Sequence, residues 1–242
     1  IYKFDSDPTA GQLVDVAAAD DGDLDMLVYP QAPAAGAPTW SLFRADYRGV
    51  LQNRVAITGL PPETAEMRPD TLFIRERRLL LVDRAAFRAV AVDPGGAVQT
   101  TWDLLALSGL PEKERGRNDM GGMNLDPQGA LIFTVPTLAR AFLLPFDGKP
   151  RVFGRSGSAP GSFGIPAGIA ADGQGRVFVA DKGRGVVMIF DRNLELTAEF
   201  GTDDGVAGLQ RPTDLLYDDG KLYVTQSRDR GVSVFRVAAG GV

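Results

Sequence analysis

The stretch that decides the fold is GIPAGIAADGQGRVFVADKGRGVVMIFD, Gly164 to Asp191. It reads as a run of small apolar residues, a Gly turn, a second apolar run, a basic Gly loop and a third apolar run. The chain then writes nearly the same pattern again as LQRPTDLLYDDGKLYVTQSRDRGVSVFRV, Leu209 to Val237. Pro166 matches Pro212, Gly175 matches Gly220, Val179 matches Val224 and Phe190 matches Phe235, a period of about 45 residues that marks an internal structural repeat.

Earlier copies become visible once the period is known. RPDTLFIRERRLLLVDRAAFRAVAVD, Arg68 to Asp93, shares the Arg-Pro opening, and its LLLVD stands where VFVAD stands. MGGMNLDPQGALIFTVPTLARAFLLPFD, Met120 to Asp147, keeps the turn as DPQG. The first copy, LVDVAAADDGDLDMLVYP from Leu13 to Pro30, is followed by TWSLFRAD. Most copies carry a fourth run: VLQNRVAIT, AVQTTWDL, PRVFG and LTAEFG. Short apolar or alternating runs bounded by Gly, Asp, Asn and Pro are strand patterning at hairpin spacing. Four antiparallel strands in about 45 residues make one propeller blade, and blades bury their faces only by stacking on neighbours. The expectation is an all-β propeller over residues 1–242, with repeats near 9–55, 56–103, 104–154, 155–201 and 202–238. Ala167, Gly168, Ala170 and Ala171 suit a crowded innermost strand. DLLALSGL, Asp103 to Leu110, reads as strand end and loop.

The fourth copy also resembles the NHL repeat. The matching residues are Phe163, Pro166, Gly168 to Ala170, Asp172, Gly175, Val177 to Asp181 and Met188 to Asp191. The pattern is fullest over 155–201, is kept over 202–238, and thins over 56–154 and 1–55. The resemblance implies a propeller, usually of six blades, whereas five copies are counted here. IYKFD, Ile1 to Asp5, either pairs with the last copy and closes five blades or belongs to a sixth. The resemblance says little about activity, because the fold hosts many roles.

Composition excludes more than it assigns. The 242 residues contain no Cys and no His. Disulfides, thiolate chemistry, Ser-His-Asp catalysis and His-ligated metals are therefore excluded. The net charge of −5 weighs against nucleic acid as the main ligand. No apolar run reaches the length of a membrane span. The chain opens on Ile1 rather than Met, so either a processed product or a trimmed chain is expected, and the localisation expected is that of an exported bacterial protein, periplasmic or at the cell surface.

Candidate site residues fall on one set of loops. After VAD and its equivalents come Asp83 and Arg84, then Asp181, Lys182 and Arg184, then Gln226, Arg228 and Asp229. Arg68, Asp70, Arg211 and Asp214 open inner strands and could share that rim. These residues form either a mixed-charge surface for a partner or a set of Asp side chains that hold their own turns. ADDGDLDML, Ala19 to Leu27, has the acidic look of a calcium loop. Ala17 and Ala19 stand where earlier ligands belong, so a hairpin turn is expected and no metal site is assigned. LSGLPEKERGRND, Leu107 to Asp119, and PQAPAAGAPT, Pro30 to Thr39, are longer than a blade needs and are candidates for contacts. Trp40 and Trp102 are read as core residues, with exposed anchors as the alternative.

No Gly-x-Ser-x-Gly elbow, Walker loop or dinucleotide fingerprint is present, and no cofactor is expected. GRSGSAPGSFG, Gly154 to Gly164, reads as an inter-blade linker. The expected function is a non-enzymatic scaffold that docks other proteins. Two alternatives stand beside it. One is a divalent-cation lactonase or lyase, as some NHL-like relatives are. The other is a propeller that recognises sugar or RNA.

Overall fold

The computed structural model describes residues 11–19, 21–31, 39–64, 66–75, 78–157, 159–201, 208–227 and 231–238. The chain divides into two compact units, residues 1–117 and 118–242.

Unit one holds two antiparallel meanders. The first is β1 (Gln12–Ala18), β2 (Leu24–Tyr29), β3 (Ser41–Ala45) and β4 (Leu51–Val55); the second is β5 (Thr71–Arg75), β6 (Arg78–Asp83), β7 (Arg88–Val92) and β8 (Val98–Asp103). Unit two holds three more. They are β9 (Met123–Leu125), β10 (Leu131–Val135), β11 (Arg140–Leu144) and β12 (Arg151–Phe153); β13 (Pro166–Ala171), β14 (Val177–Asp181), β15 (Val186–Phe190) and β16 (Leu196–Phe200); and β17 (Pro212–Asp218), β18 (Lys221–Gln226) and β19 (Val232–Arg236). Each sheet falls inside one sequence repeat. The last has three strands among the described residues. The strand expected from IYKFD lies outside the described residues.

Burial explains the strand patterns. β14 and β15 are buried throughout because both faces of their sheet are covered. Val177, Val179, Val186, Met188 and Phe190 pack with Ile132, Ala141 and Phe153 of the preceding sheet. Phe178, Ala180, Val187 and Ile189 pack with Leu215, Leu222 and Val224 of the following one. Successive side chains alternate between two apolar cores, so a strand covered on both faces reads as a continuous apolar run. The outermost strand β16 alternates between half-buried and exposed, as a strand with one wet face should. In unit one, Leu27, Trp40, Leu42, Met67, Leu79, Leu81, Val90 and Val92 form the core between the two sheets. Trp40 is thus a core residue, and Trp102 is half-buried.

The innermost strands of unit two approach so closely that glycine is required. A Cβ on Gly168 would lie 2.4 Å from the Cα of Asp214, and one on Gly122 would lie 2.5 Å from the Cα of Gly168. The small residues of β13 are therefore set by backbone contact between sheets.

One expectation is corrected. Leu104–Leu107 is a one-turn α-helix, α1, rather than loop. Asp103 caps it by accepting from the N–H groups of Leu105 and Ala106, both at 3.1 Å, and the Ser108 hydroxyl donates to the Leu104 carbonyl at 2.7 Å. An Asp at the end of a strand can close a helical turn without helical periodicity around it. No helix among the described residues is long and apolar enough to cross a membrane.

Candidate functional site

In a meander, the turns joining first to second and third to fourth strands share one end, and the loops joining second to third strands share the other. The first end is built from a repeated device. Asp46, Asp93, Asp126, Asp172 and Asp191 each use Oδ1 to accept backbone N–H groups two and four residues ahead, at 2.7–3.0 Å. This is the local carboxylate-to-backbone bonding that tightens a turn. The acidic stretch near residue 21 belongs to the same end and forms a hairpin. There Asp21 Oδ1 accepts from Asp23 N at 3.2 Å, while Asp25 is buried against Arg44 at 3.0 Å. Burial raises the Asp25 carboxyl above the usual carboxylate range despite Arg44.

The described sequence-predicted residues lie at the other end of their own sheets. Asp181 is fully buried. Its Oδ1 accepts from Ile165 N, Gly183 N and Arg184 N at 2.9–3.0 Å, and its Oδ2 from Gly164 N at 2.6 Å. Asp83 does the same work in its own blade, accepting from Arg68 N and Ala86 N, both at 2.7 Å. Gln226 supplies the equivalent amide oxygen to Gln210 N at 2.6 Å. In three blades, then, the last side chain of the second strand clasps the backbone that leads into the first. Lys182 N donates to Ile165 O at 3.0 Å. Arg184 donates to Ser162 O at 3.0 Å and to both oxygens of Glu199 at 3.1 Å. Arg211 has a positive φ of 54°, and its carbonyl accepts from Ser227 N at 3.2 Å. Arg228 and Asp229 lie outside the described residues.

Within unit one the structure brings Arg68, Asp70 and Asp83 into one cleft of about 910 Å³. Its walls also include Tyr29, Ala85 and Ala86, and from the long loop Glu112, Lys113 and Arg115 to Arg117. The Arg68 guanidinium lies over the Tyr29 ring, 4.2 Å from its centroid, and the Tyr29 hydroxyl donates to Pro69 O at 2.8 Å. Burial raises both the Tyr29 phenol and the Asp70 carboxyl above their usual ranges. Asp70 accepts from Thr71 Oγ1 at 3.0 Å and has Arg84 beside it.

The long loop is fastened to the second sheet by Arg115. Its guanidinium donates to Glu112 Oε1 and Asp103 Oδ2, both at 2.6 Å, and to the carbonyl of Ala86. Bonding to Glu112 and then Asp103 pushes Arg115 above the usual arginine range. Glu112 is correspondingly held low by Arg115, and at Asp103 the Ala106 N–H and Arg115 together outweigh burial. Gly116, at φ 73°, reverses the chain here, leaving Lys113 and Arg117 exposed where Arg115 is drawn in. Tyr29, Lys113 and Arg117 were not singled out from sequence. The charged loop PEKERGR was the one available signal. Among the described residues, no group of three or more acidic side chains is placed to hold a metal ion.

No protein-family model matches the chain, and no curated protein matches it. Solved structures do. The chain is similar to a catalytically inactive histidine-to-alanine variant of virginiamycin B lyase from Staphylococcus aureus, solved with quinupristin, at 11% identity and TM-score 0.55, covering 96% of this chain and 72% of that one. It is similar to a chain of a nidogen/laminin complex at 16% identity and TM-score 0.59, covering 94% and 76%. It is also similar to a putative 6-phosphogluconolactonase from Bacteroides uniformis at 16% identity and TM-score 0.55, covering 94% and 68%. With its meander sheets, this likeness defines the fold class: the chain is an all-β protein of the β-propeller type, built of blades.

Proposed function

We propose that this chain is an NHL-like propeller that acts as a protein-docking scaffold, and that its contact surface is the loop end of unit one. The observation that carries the reading is the open cleft of about 910 Å³, walled by four separate segments around Tyr29, Arg68, Asp83 and Lys113. Loops fixed on a rigid sheet are where propellers and similar scaffolds place their contacts. The solved nidogen/laminin complex supports the same use of a similar fold.

The enzyme reading has less support in these residues. The lyase variant described as inactive has lost a histidine, and this chain has none. Asp83 and Asp181, the carboxylates that end β6 and β14, are committed to backbone N–H groups. The test is affinity capture from the host's own extract, followed by hydrogen-exchange mapping of the complex. The expected result is a stoichiometric partner that protects residues 83–86 and 112–117. A partner that protects only the Asp-turn end, or no partner together with turnover of a lactone, would overturn the reading.

A further inference from the structure

We infer that the unit-one cleft recognises a carboxylate-rich, acidic peptide segment of the docked partner, with Arg68, Lys113 and Arg117 as its receptors. The inference rests on the docking reading above.

It follows from how the charges of the cleft are already spent. Every carboxylate there has a partner within the chain. Asp83 accepts two backbone N–H groups at 2.7 Å, Glu112 is bonded to Arg115 at 2.6 Å, and Asp70 accepts from Thr71. The cations are not matched in the same way. Arg115 is consumed by Glu112 and Asp103, but among the described residues no ion pair joins Arg68, Lys113 or Arg117 to any carboxylate. The cleft lining carries four cations against three carboxylates, and among the described residues three of those cations stand outside any ion pair, in a chain whose net charge is −5.

The geometry of Arg68 selects the ligand further. Its guanidinium carbon lies over the Tyr29 ring, 4.2 Å from the centroid. A guanidinium that meets a ring through one side keeps N–H donors on its other side for a second partner. Those donors match a carboxylate in a planar, two-pronged contact. The contact is also pre-organised, because Tyr29 is tethered to Pro69 O at 2.8 Å and Arg68 N to Asp83 at 2.7 Å. On the facing loop, Arg115 pins the backbone so that Lys113 and Arg117 are held at the cleft rather than on a free tether. Charge held in place costs little ordering entropy when the ligand arrives. A nucleic acid fits less well: the Tyr29 face that a base would stack on is already occupied by Arg68.

The test is fluorescence polarisation of the whole chain with labelled hexaglutamate, hexaglutamine and an oligouridylate. Hexaglutamate is expected to bind, weakening with added salt, and hexaglutamine is not. Arg68→Gln is expected to weaken hexaglutamate about tenfold, the loss of one charge-assisted contact, and the added changes Lys113→Gln and Arg117→Gln to abolish it. Arg48→Gln, a change at an exposed arginine paired with Asp46 at 3.5 Å outside the cleft, should leave binding unchanged. Circular dichroism of each variant separates lost binding from lost folding. Equal binding by the triple variant, no binding by the folded wild type, or tighter binding of oligouridylate would overturn the inference. A captured partner that the triple variant still binds would sink this inference and leave the docking reading standing. Hexaglutamate binding without any captured partner would do the reverse.

Discussion

Replacing Asp181 with Ala removes one buried carboxylate and leaves the N–H groups of Gly164, Ile165, Gly183 and Arg184 without their acceptor. A hydrogen bond to a charged group contributes about 1.5 kcal/mol net, so four would sum to roughly 6 kcal/mol if none were replaced. These donors belong to exposed or half-exposed residues and recover part of that from water, which brings the expected loss to about 3 kcal/mol. That is a large share of the roughly 5–15 kcal/mol that holds a domain folded. Asp181→Asn keeps an acceptor at Oδ1 but turns an amide donor towards Gly164 N–H, and should cost about half as much. Urea unfolding followed by circular dichroism reads the effect as a midpoint lowered by about 1 M for the Ala variant. Asp83→Ala, which strands two donors rather than four, should fall between wild type and Asp181→Ala. An Asp181→Ala midpoint within about 0.2 M of wild type, or an Asp83→Ala loss larger than the Asp181→Ala loss, would refute the clasp reasoning.

Gly168→Ala should lower the melting temperature sharply, because its Cβ would sit 2.4 Å from the Asp214 Cα and backbone cannot yield as a side chain can. Gly173→Ala, with nothing within 4 Å, should leave it unchanged. For Asp25, burial raises the folded-state pKa above its ordinary 3.8, so the native state holds a proton that the unfolded chain has released. Its stability contribution therefore rises as pH falls through that raised value. Wild type should gain on Asp25→Asn as the buffer is taken from neutral to about pH 4, and a difference that is flat or of opposite slope contradicts the burial argument. Arg115→Met should speed hydrogen exchange across residues 104–117 while leaving β9 to β19 unaffected; uniform protection would show that Arg115 does not fasten the loop.

The sheets were legible in the sequence because the repeat states them several times. VFVAD and LLLVD align with β14 and β6, and the Asp-x-x-Gly turns align with the Asp46, Asp93, Asp126 and Asp172 hairpins, while the Asp191 hairpin makes the same turn with Leu194 at φ 68° in the glycine position. The continuous apolar run of β15 even signals a strand covered on both faces. Less legible was what the polar residues do. Asp83 and Asp181 look the same in sequence whether they face a ligand or clasp their own backbone, and only the positions of Arg68 N and Gly164 N decide. The cleft was hidden for a different reason. It brings Tyr29, from the end of β2, against Arg68 and the loop after α1, and no local pattern encodes that meeting. In the stretch Lys113-Glu-Arg-Gly-Arg117, the middle arginine anchors and the flanking cations stay exposed. That division is set by the distances to Asp103 and Ala86 rather than by spacing.

The most direct test of the docking account is an amide chemical-shift titration of the isotope-labelled chain with hexaglutamate. Shifts concentrated at Tyr29, Arg68 to Asp70 and Lys113 to Arg117 are the predicted result. Shifts gathered instead on the opposite end, at the hairpins of Asp46 and Asp93, or scattered over the surface without saturation, would contradict it.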